Sequence, residues 1–337
     1  MKNPFFALAF YASAISFFLF LPTPARVQAQ EKKTIRLVVV SLSWNSEIPI
    51  GVSTAKVYFK EQGLTVELLF IRGGLAALAA LTSGDADFGS IGGAQAVIRS
   101  RARGLGVSII GSISNTVNYS IVGSKGTKNV ADLKGKIVGV TGAGAFSDFA
   151  VRVFLKKSHL EPDKDVILRA VGNTTMRVAA LENGLVAAAP FSPEDAVRLT
   201  AKGFPLIVNL SESLAIPQSI IMARDETLEK YPETTKRFLK ALILGIQFAK
   251  KNKKEAIKAG YEAGFKGEPD VIDRAYDLFA PGLTSDLSIA REGIQLMLDE
   301  DIRAGLVDEK MTVDRVVNDR LLKLAQEELR REGRLNP

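Results

Sequence analysis

The sequence predicts an α/β protein of two similar lobes, each a mostly parallel sheet flanked by helices, with C-terminal helices packed on the first lobe. Three observations carry this reading. Short apolar strands alternate with helices from Thr34 to Ile113, the pattern of a sheet with parallel pairings. The same order restarts at Lys136 and runs to Pro190. After Ser219 the remaining long segments are helical and carry strongly charged faces.

In the first unit, Thr34 to Leu42, with Leu37-Val38-Val39-Val40, reads as a buried parallel strand. A helix over Val52 to Gln62 stops at Gly63, and Val66 to Ile71 is the next strand. Gly73-Gly74 lead into a helix over Leu75 to Thr82, followed by a strand over Ala86 to Ile91. A helix over Ala94 to Arg103 and a strand over Val107 to Ile113 complete the unit.

The second unit has strands at Lys136 to Val140, Val166 to Val171 and Leu185 to Pro190, with helices at Ser147 to Lys157 and Thr174 to Glu182 between them. Ala80-Leu81-Thr82-Ser83-Gly84 reappears 100 residues later as Ala180-Leu181-Glu182-Asn183-Gly184, each followed by a short apolar strand. This reads as one β-α-β-α-β unit used twice. Helices are then expected at Thr227 to Lys250, Lys253 to Gly264, Asp270 to Phe279, Ile289 to Ala304 and Val313 to Arg331, with Pro232, Pro269 and Pro281 near their ends. The expected division is residues 30–117 with 220–337 as the first lobe and 118–219 as the second.

Composition removes several classes of function. The chain has no Cys among its 337 residues, which excludes disulfide scaffolds, thiolate metal sites and thiol nucleophiles. One His, His159, leaves little for triads or His-rich metal sites. A net charge of +7 from 44 basic and 37 acidic residues gives no reason to expect nucleic acid.

The N-terminus begins with Lys2, continues as an apolar run from Phe5 to Leu21, and reaches Val27-Gln28-Ala29 after two prolines. That is the layout of a secretory signal peptide, residues 1–29, cleaved after Ala29. Losing Lys2 and Arg26 lowers the net charge from +7 by two, to +5. The expected location is therefore periplasmic.

Ligands of open α/β sheets bind outside the carboxyl ends of the strands. Here those loops include Ser41 to Asn45, Arg72 to Gly74, Ser90 to Gly93, Asn115 to Tyr119, Thr141 to Ser147, Gly172 to Thr175, Phe191 to Ser192 and Pro217 to Ser219. They are rich in Gly, Ser, Thr and Asn and run into helices, whose free N–H groups attract anions. The candidate contacts are Ser41, Ser43, Trp44, Arg72, Gly73, Ser90, Gly92, Gly93, Asn115, Ala145, Phe146, Ser147, Ser192 and Gln218. Trp44, the only Trp, reads either as core or as a stacking wall, and Arg72 either as a clamp for a carboxylate or sulfonate or as the partner of a surface Glu. Arg177, in the first turns of a helix, is read as structural and stays outside the set. Asp85 and Asp87 fall at the opposite pole of the sheet and fit turn chemistry. His159, with no partner nearby in sequence, reads as a surface residue. The segment Thr141-Gly142-Ala143-Gly144-Ala145-Phe146-Ser147 lacks the Gly-Lys-Ser/Thr of a phosphate loop and the third Gly of a dinucleotide fingerprint.

These residues resemble a known family. Leu81-Thr82-Ser83-Gly84-Asp85-Ala86-Asp87-Phe88-Gly89, then Gly92-Gly93-Ala94, is similar to the LxSGxxDFxxxGxxA signature of type II periplasmic substrate-binding proteins. The likeness is to the group that binds nitrate, sulfonates, taurine and thiamine pyrimidine precursors for ABC importers. Val130-Ala131-Asp132-Leu133-Lys134-Gly135-Lys136-Ile137-Val138-Gly139-Val140 resembles that group's DLKGKxVGV motif, and Gly142 to Phe149 its GSxxDFA helix start. Pro217-Gln218-Ser219 resembles its return segment, so the likeness spans residues 34–310.

The resemblance implies a type II periplasmic binding protein fold, two lobes closing about a hinge, non-covalent capture of a small ligand, and docking to a membrane permease. It implies a monomer with no cofactor and no catalysis. The positive balance, Arg72 and the helix starts point to an anionic ligand, a sulfonate, nitrate or carboxylate, while Trp44, Tyr119, Phe146 and Phe191 leave a neutral aromatic as the alternative. A sensory role feeding a membrane receptor fits the same sequence. A pyrimidine-synthase-like enzyme fits poorly, because that chemistry uses a His and a Cys-containing site. One departure stands out: the family's PLWVAKExGLF helix is replaced by Pro49-Ile50-Gly51-Val52-Ser53-Thr54-Ala55-Lys56, so the usual ligand specificity does not transfer.

Overall fold

A computed structural model describes residues 31–40 and 42–336. The expected leader and Ser41 lie outside the described residues.

The chain forms two mixed five-stranded sheets. The first begins with β1 (Thr34–Val39), α1 (Trp44–Ala55), α2 (Tyr58–Glu61), β2 (Thr65–Phe70), α3 (Gly74–Ser83), β3 (Phe88–Gly92), α4 (Gln95–Ala102) and β4 (Val107–Ser114). The second comprises β5 (Ser120–Gly123), β6 (Ile137–Val140), α5 (Phe146–Lys157), β7 (Ile167–Ala170), α6 (Thr174–Glu182), β8 (Ala188–Phe191), α7 (Pro193–Ala201) and β9 (Leu206–Asn209). The chain then returns to the first sheet as β10 (Ser219–Arg224). It continues through α8 (Asp225–Lys230), α9 (Pro232–Lys251), α10 (Lys253–Glu262), α11 (Pro269–Phe279), α12 (Arg291–Arg303), α13 (Val313–Val316) and α14 (Arg320–Arg331).

The two sheets share one plan. Their strand orders are β2-β1-β3-β10-β4 and β7-β6-β8-β5-β9. In each, three strands pair in parallel, and a single antiparallel strand is inserted beside the third: β10 beside β3, β5 beside β8. Each inserted strand arrives from the other sheet, so two crossings join the sheets, residues 115–119 and 210–218. Alternating apolar residues of β1 feed two clusters, Val38 toward one and Ile35, Leu37 and Val39 toward the other.

Three helix boundaries differ from the sequence reading, each for a chain-geometry reason. The helix expected from Val52 begins eight residues earlier, at Trp44, with Pro49 in its interior. Pro49 has no N–H for the carbonyl of Asn45. That carbonyl instead accepts from Asn118 Nδ2 at 3.3 Å, and Asn45 Nδ2 donates to the Asn118 carbonyl at 3.4 Å. This exchange ties the start of α1 to the crossing strand. The helix expected from Thr227 is split, because Tyr231, at φ −126° and ψ 53° before Pro232, leaves helical space. The helix expected from Val313 is also split, because Val317 is extended and bridges Ile109 of β4.

α9 packs on α1 and α14, while α11 packs on α7 of the second sheet. Among the described residues, no helix is long and apolar enough to cross a membrane.

Candidate functional site

A hollow of about 350 Å³ lies where the carboxyl ends of the parallel strands of both sheets face each other. From the first sheet come Val40, Ser43, Asn45, Ser46 and Glu47 after β1, Gly92 ending β3, and Gln218 entering β10. Tyr119 lies on a crossing, and the second sheet supplies Thr141 after β6, Asn173, Thr174 and Arg177 after β7, and Ser192 after β8. The N-termini of α1, α6 and α7 therefore converge on one volume, which biases it toward negative charge.

The caps orient these ends. Asn173 Oδ1 accepts from the Met176 amide at 3.1 Å at the start of α6. Ser192 Oγ accepts from the Asp195 amide at 3.3 Å and donates to Asp195 Oδ2 at 2.9 Å. Ser43 donates to Asn45 Oδ1.

Arg177 is 5% exposed and yet faces the hollow. Its guanidinium donates to the Gly172 carbonyl at 2.7 Å, Thr141 Oγ1 at 2.8 Å and the Pro190 carbonyl at 3.3 Å. The charge sits 5.8 Å from the Phe191 ring centroid. Burial pulls its pKa down, although a guanidinium stays charged. No carboxylate forms an ion pair with it among the described residues.

Glu47 is the opposite pole. It is 1% exposed, and Oε1 accepts from Ser90 Oγ at 3.0 Å. Oε2 is buried with no hydrogen-bond partner among the described residues. Burial raises the carboxyl to about 8, against which the Ser90 hydrogen bond works. Tyr119, also on the wall, has its phenol pKa raised by burial and lowered by Arg177.

Of the sequence candidates, Ser43, Gly92, Ser192 and Gln218 line the hollow. Ser90 lies behind Glu47, and Gly93 stands at the seam, where its amide donates to the Gln218 carbonyl at 2.6 Å. Ser41 lies outside the described residues, and the remaining candidates stand elsewhere.

Trp44 is core and not wall. It is 2% exposed, its indole N–H donates to the Lys266 carbonyl at 2.8 Å, and Tyr261 and Phe265 meet it edge-on at 5.0 and 5.1 Å. Turning into α1 points it back into the first lobe. Arg72 and Gly73 are exposed after the edge strand β2, off the wall of the hollow. Asn115 is committed to the C-terminal part of the chain, donating to the Ser288 carbonyl at 2.8 Å and accepting from the Ala290 amide at 3.1 Å. Ser147 accepts from the Thr141 amide at 3.0 Å, and Asp148 from the Gly144 amide at 2.9 Å, so the polar start of α5 is spent on its own loop. Ala145 caps that helix, and Phe146 packs against Tyr119 at 6.0 Å.

Glu47, Asn45 and Arg177 are among the lining residues that the candidate set omits. No local signal marked Glu47, because Pro49, a residue suited to a helix's first position, points to a helix that begins after Glu47. The signal for Arg177 was its place on the first turn after a strand's carboxyl end. Asp87 is structural, accepting from Lys32 Nζ at 2.6 Å and the Arg36 amide at 2.8 Å, and His159 is exposed at φ 59°. Among the described residues, no group of three or more metal-ligating side chains is present.

Two mixed sheets with a shared polar hollow between their carboxyl ends define a periplasmic binding protein fold. Solved structures with this fold include the aliphatic sulphonate binding protein SsuA of Escherichia coli (TM-score 0.71, 18% identity, covering 87% of this chain and 100% of that one). The nitrate-binding protein NrtA of Synechocystis aligns with a TM-score of 0.66 at 16% identity over 90% of this chain and 91% of its own. A Brucella abortus protein named as a binding protein is 25% identical over 245 residues, 71% of this chain and 73% of that one. The chain belongs to the NMT1/THI5 like family, whose model matches residues 44–256, more than half of its length.

Proposed function

We propose that this chain is the extracytoplasmic solute-binding component of an ABC importer, exported by a leader cleaved after Ala29. It captures a small anionic ligand in the hollow without altering it, and a membrane permease reads the closed form. The division into lobes at residues 30–117 with 220–337, and 118–219, belongs to this reading, as does a monomeric state.

One observation carries it: a buried guanidinium, Arg177, faces a hollow assembled from both sheets and has no ion-pair partner among the described residues. A buried charge without a counter-ion is costly, and an anionic ligand supplies one. Sulfonate- and nitrate-binding neighbours of the same fold support the anion class. Contacts made from both sides are complete only when the lobes are closed, which drives closure.

The experiment is a thermal-shift screen of small anions, amines and pyrimidines on protein lacking residues 1–29. A ligand at about 100 times its Kd adds roughly 2.7 kcal/mol to stability. Saturable stabilisation with the ligand recovered unchanged is expected. Chemical conversion of the ligand, or no response to any compound, overturns the reading.

A further inference from the structure

The two lobes also meet outside the hollow, where α7 of the second lies on α11 of the first. α7 turns Ala196 and Leu199 into the second lobe's core. Glu194 and Val197 fall on its other side at helical spacing, and they are buried too, at 8% and 5% exposure, outside that cluster. α11 has the matching arrangement: Ile272, Tyr276 and Phe279 enter the first lobe's core, while Ala275 is fully buried outside it. These second faces cover each other. One end of the seam is pinned, because the Leu278 carbonyl accepts from Asn209 Nδ2 and Ser211 Oγ, both at 3.3 Å, where the chain crosses between the sheets. The other end lies about 15 Å along α11, at the rise of a helix. There Arg198 Nε donates to Glu268 Oε2 at 3.0 Å. A hinge at the crossing therefore opens the seam from the Glu268 end.

Glu194 puts a carboxyl in that seam. Its Oε2 is buried with no hydrogen-bond partner among the described residues. An ionised carboxylate in such a place is costly, and the cost disappears when it takes up a proton or when the seam opens to water. Resting on the two-lobe division of the solute-binding reading, we propose that the α7–α11 seam is a pH-sensitive latch on lobe closure, with Glu194 as its titrating group.

Burial raises the Glu194 pKa, and Asp195 pushes the same way, against the pull of its own amide, Ser192 and Arg198. On α11 the charged groups beside the seam are Glu268, held by Arg198, and the exposed Arg274. Asp273 and Asp277 turn away to Lys253 of α10, and Lys266 and Asp270 are exposed. β5 and β8, which α7 also packs on, carry no charged side chain. The half-exposed Arg198–Glu268 pair adds little by itself. In the open form Glu194 returns toward its ordinary 4.5, and in the closed form it is held higher. Closure thus takes up a proton. Its advantage is complete below about 4.5 and fades as pH climbs through the closed-form value, by at most about tenfold in the closed-to-open ratio per pH unit.

The chain has no Cys, so two introduced ones can carry spin labels without background. Leu75→Cys and Met176→Cys stand at exposed positions after the edge strands β2 and β7, one on each lobe. Double electron–electron resonance on ligand-free protein of residues 30–337 reads the distance between them. From pH 5 to 7 Glu47, at about 8, keeps most of its proton, and His159 is exposed beyond the end of α5. The short-distance population is expected to fall at least about threefold from pH 5 to 7, and Glu194→Gln to hold the pH 5 distribution throughout. Raising NaCl from about 0.05 to 0.5 M is expected to leave the wild-type trend in place, since a buried group is screened little, which decides the question even if Glu194→Gln does not fold. A distribution unchanged by pH, opening on acidification, a trend that survives Glu194→Gln, or one that salt abolishes overturns the inference. If the distance still shortens with a saturating anion from the thermal-shift screen, the solute-binding reading stands. A distance that neither pH nor that anion moves overturns lobe closure as well.

Discussion

Gly93 and Phe146 meet across the two sheets: a Cβ placed on Gly93 would stand 2.8 Å from Phe146 Cδ2 and 2.7 Å from Gln95 Oε1. Gly93 also has φ +74°, a region that costs an ordinary L-residue about 1–2 kcal/mol. Its missing side chain is what lets the seam beside the hollow close. Gly93→Ala is expected to lower the urea midpoint and to weaken ligand binding, because the closed form is penalised more than the open one. Gly92→Ala, whose Cβ would meet nothing nearer than the Gln218 carbonyl at 3.9 Å, is expected to leave the midpoint close to wild type.

Arg177 and Arg72 separate two possible anion clamps. Arg177→Met removes the buried guanidinium and is expected to weaken an anionic ligand by about 1.5–3 kcal/mol, the range for a charged hydrogen bond. Arg72→Ala alters an exposed residue off the wall and is expected to change Kd by less than about twofold, on the order of 0.4 kcal/mol. Titration calorimetry with the ligand found by thermal shift distinguishes them.

Glu47 makes stability depend on pH. Its folded-state pKa is raised by burial to about 8 from an ordinary 4.5. The folded protein therefore holds a proton that the unfolded chain has lost. Its contribution is full below about 4.5 and is lost as pH rises toward 8, with a slope of at most about 1.4 kcal/mol per pH unit. Glu47→Gln removes that slope. Urea unfolding of both proteins from pH 5 to 8 checks it: the wild type is expected to lose ground steadily relative to the variant, and parallel curves would contradict a buried, protonated Glu47.

Trp44 holds α1 on the first lobe. Gly260 lies so close that a Cβ there would stand 2.4 Å from the indole, and Phe265 closes the other side. Trp44→Ala opens a cavity and is expected to cost about 3–5 kcal/mol of stability. Calorimetry on the folded protein at low temperature is expected to find the ligand still bound, since the indole does not line the hollow.

The repeated β-α-β-α-β unit was legible in the sequence because strand and helix periodicities are local properties. The rule that ligands sit beyond strand carboxyl ends selected the loops that hold Ser43, Gly92, Ser192 and Gln218. What failed was the direction of individual side chains. Trp44 was placed in the loop Ser41 to Asn45, yet α1 already begins there, and Asn118, distant in sequence, takes up the carbonyl that Pro49 leaves unbonded. Ser147 and Asn115 carry suitable groups, and both are consumed by bonds within the protein.

Composition, periodicity and the order of short motifs determined the fold class, the pair of related units and the loops that could meet a ligand. Those depend on contacts within some tens of residues. The pairing of Glu47 with Arg177 across one hollow depended on tertiary structure alone. Each lies on a different sheet, and neither reveals from its neighbours in sequence that it is buried and turned inward. Burial is set by what the rest of the chain brings alongside, and burial makes one an unpaired cation and the other a poorly partnered acid.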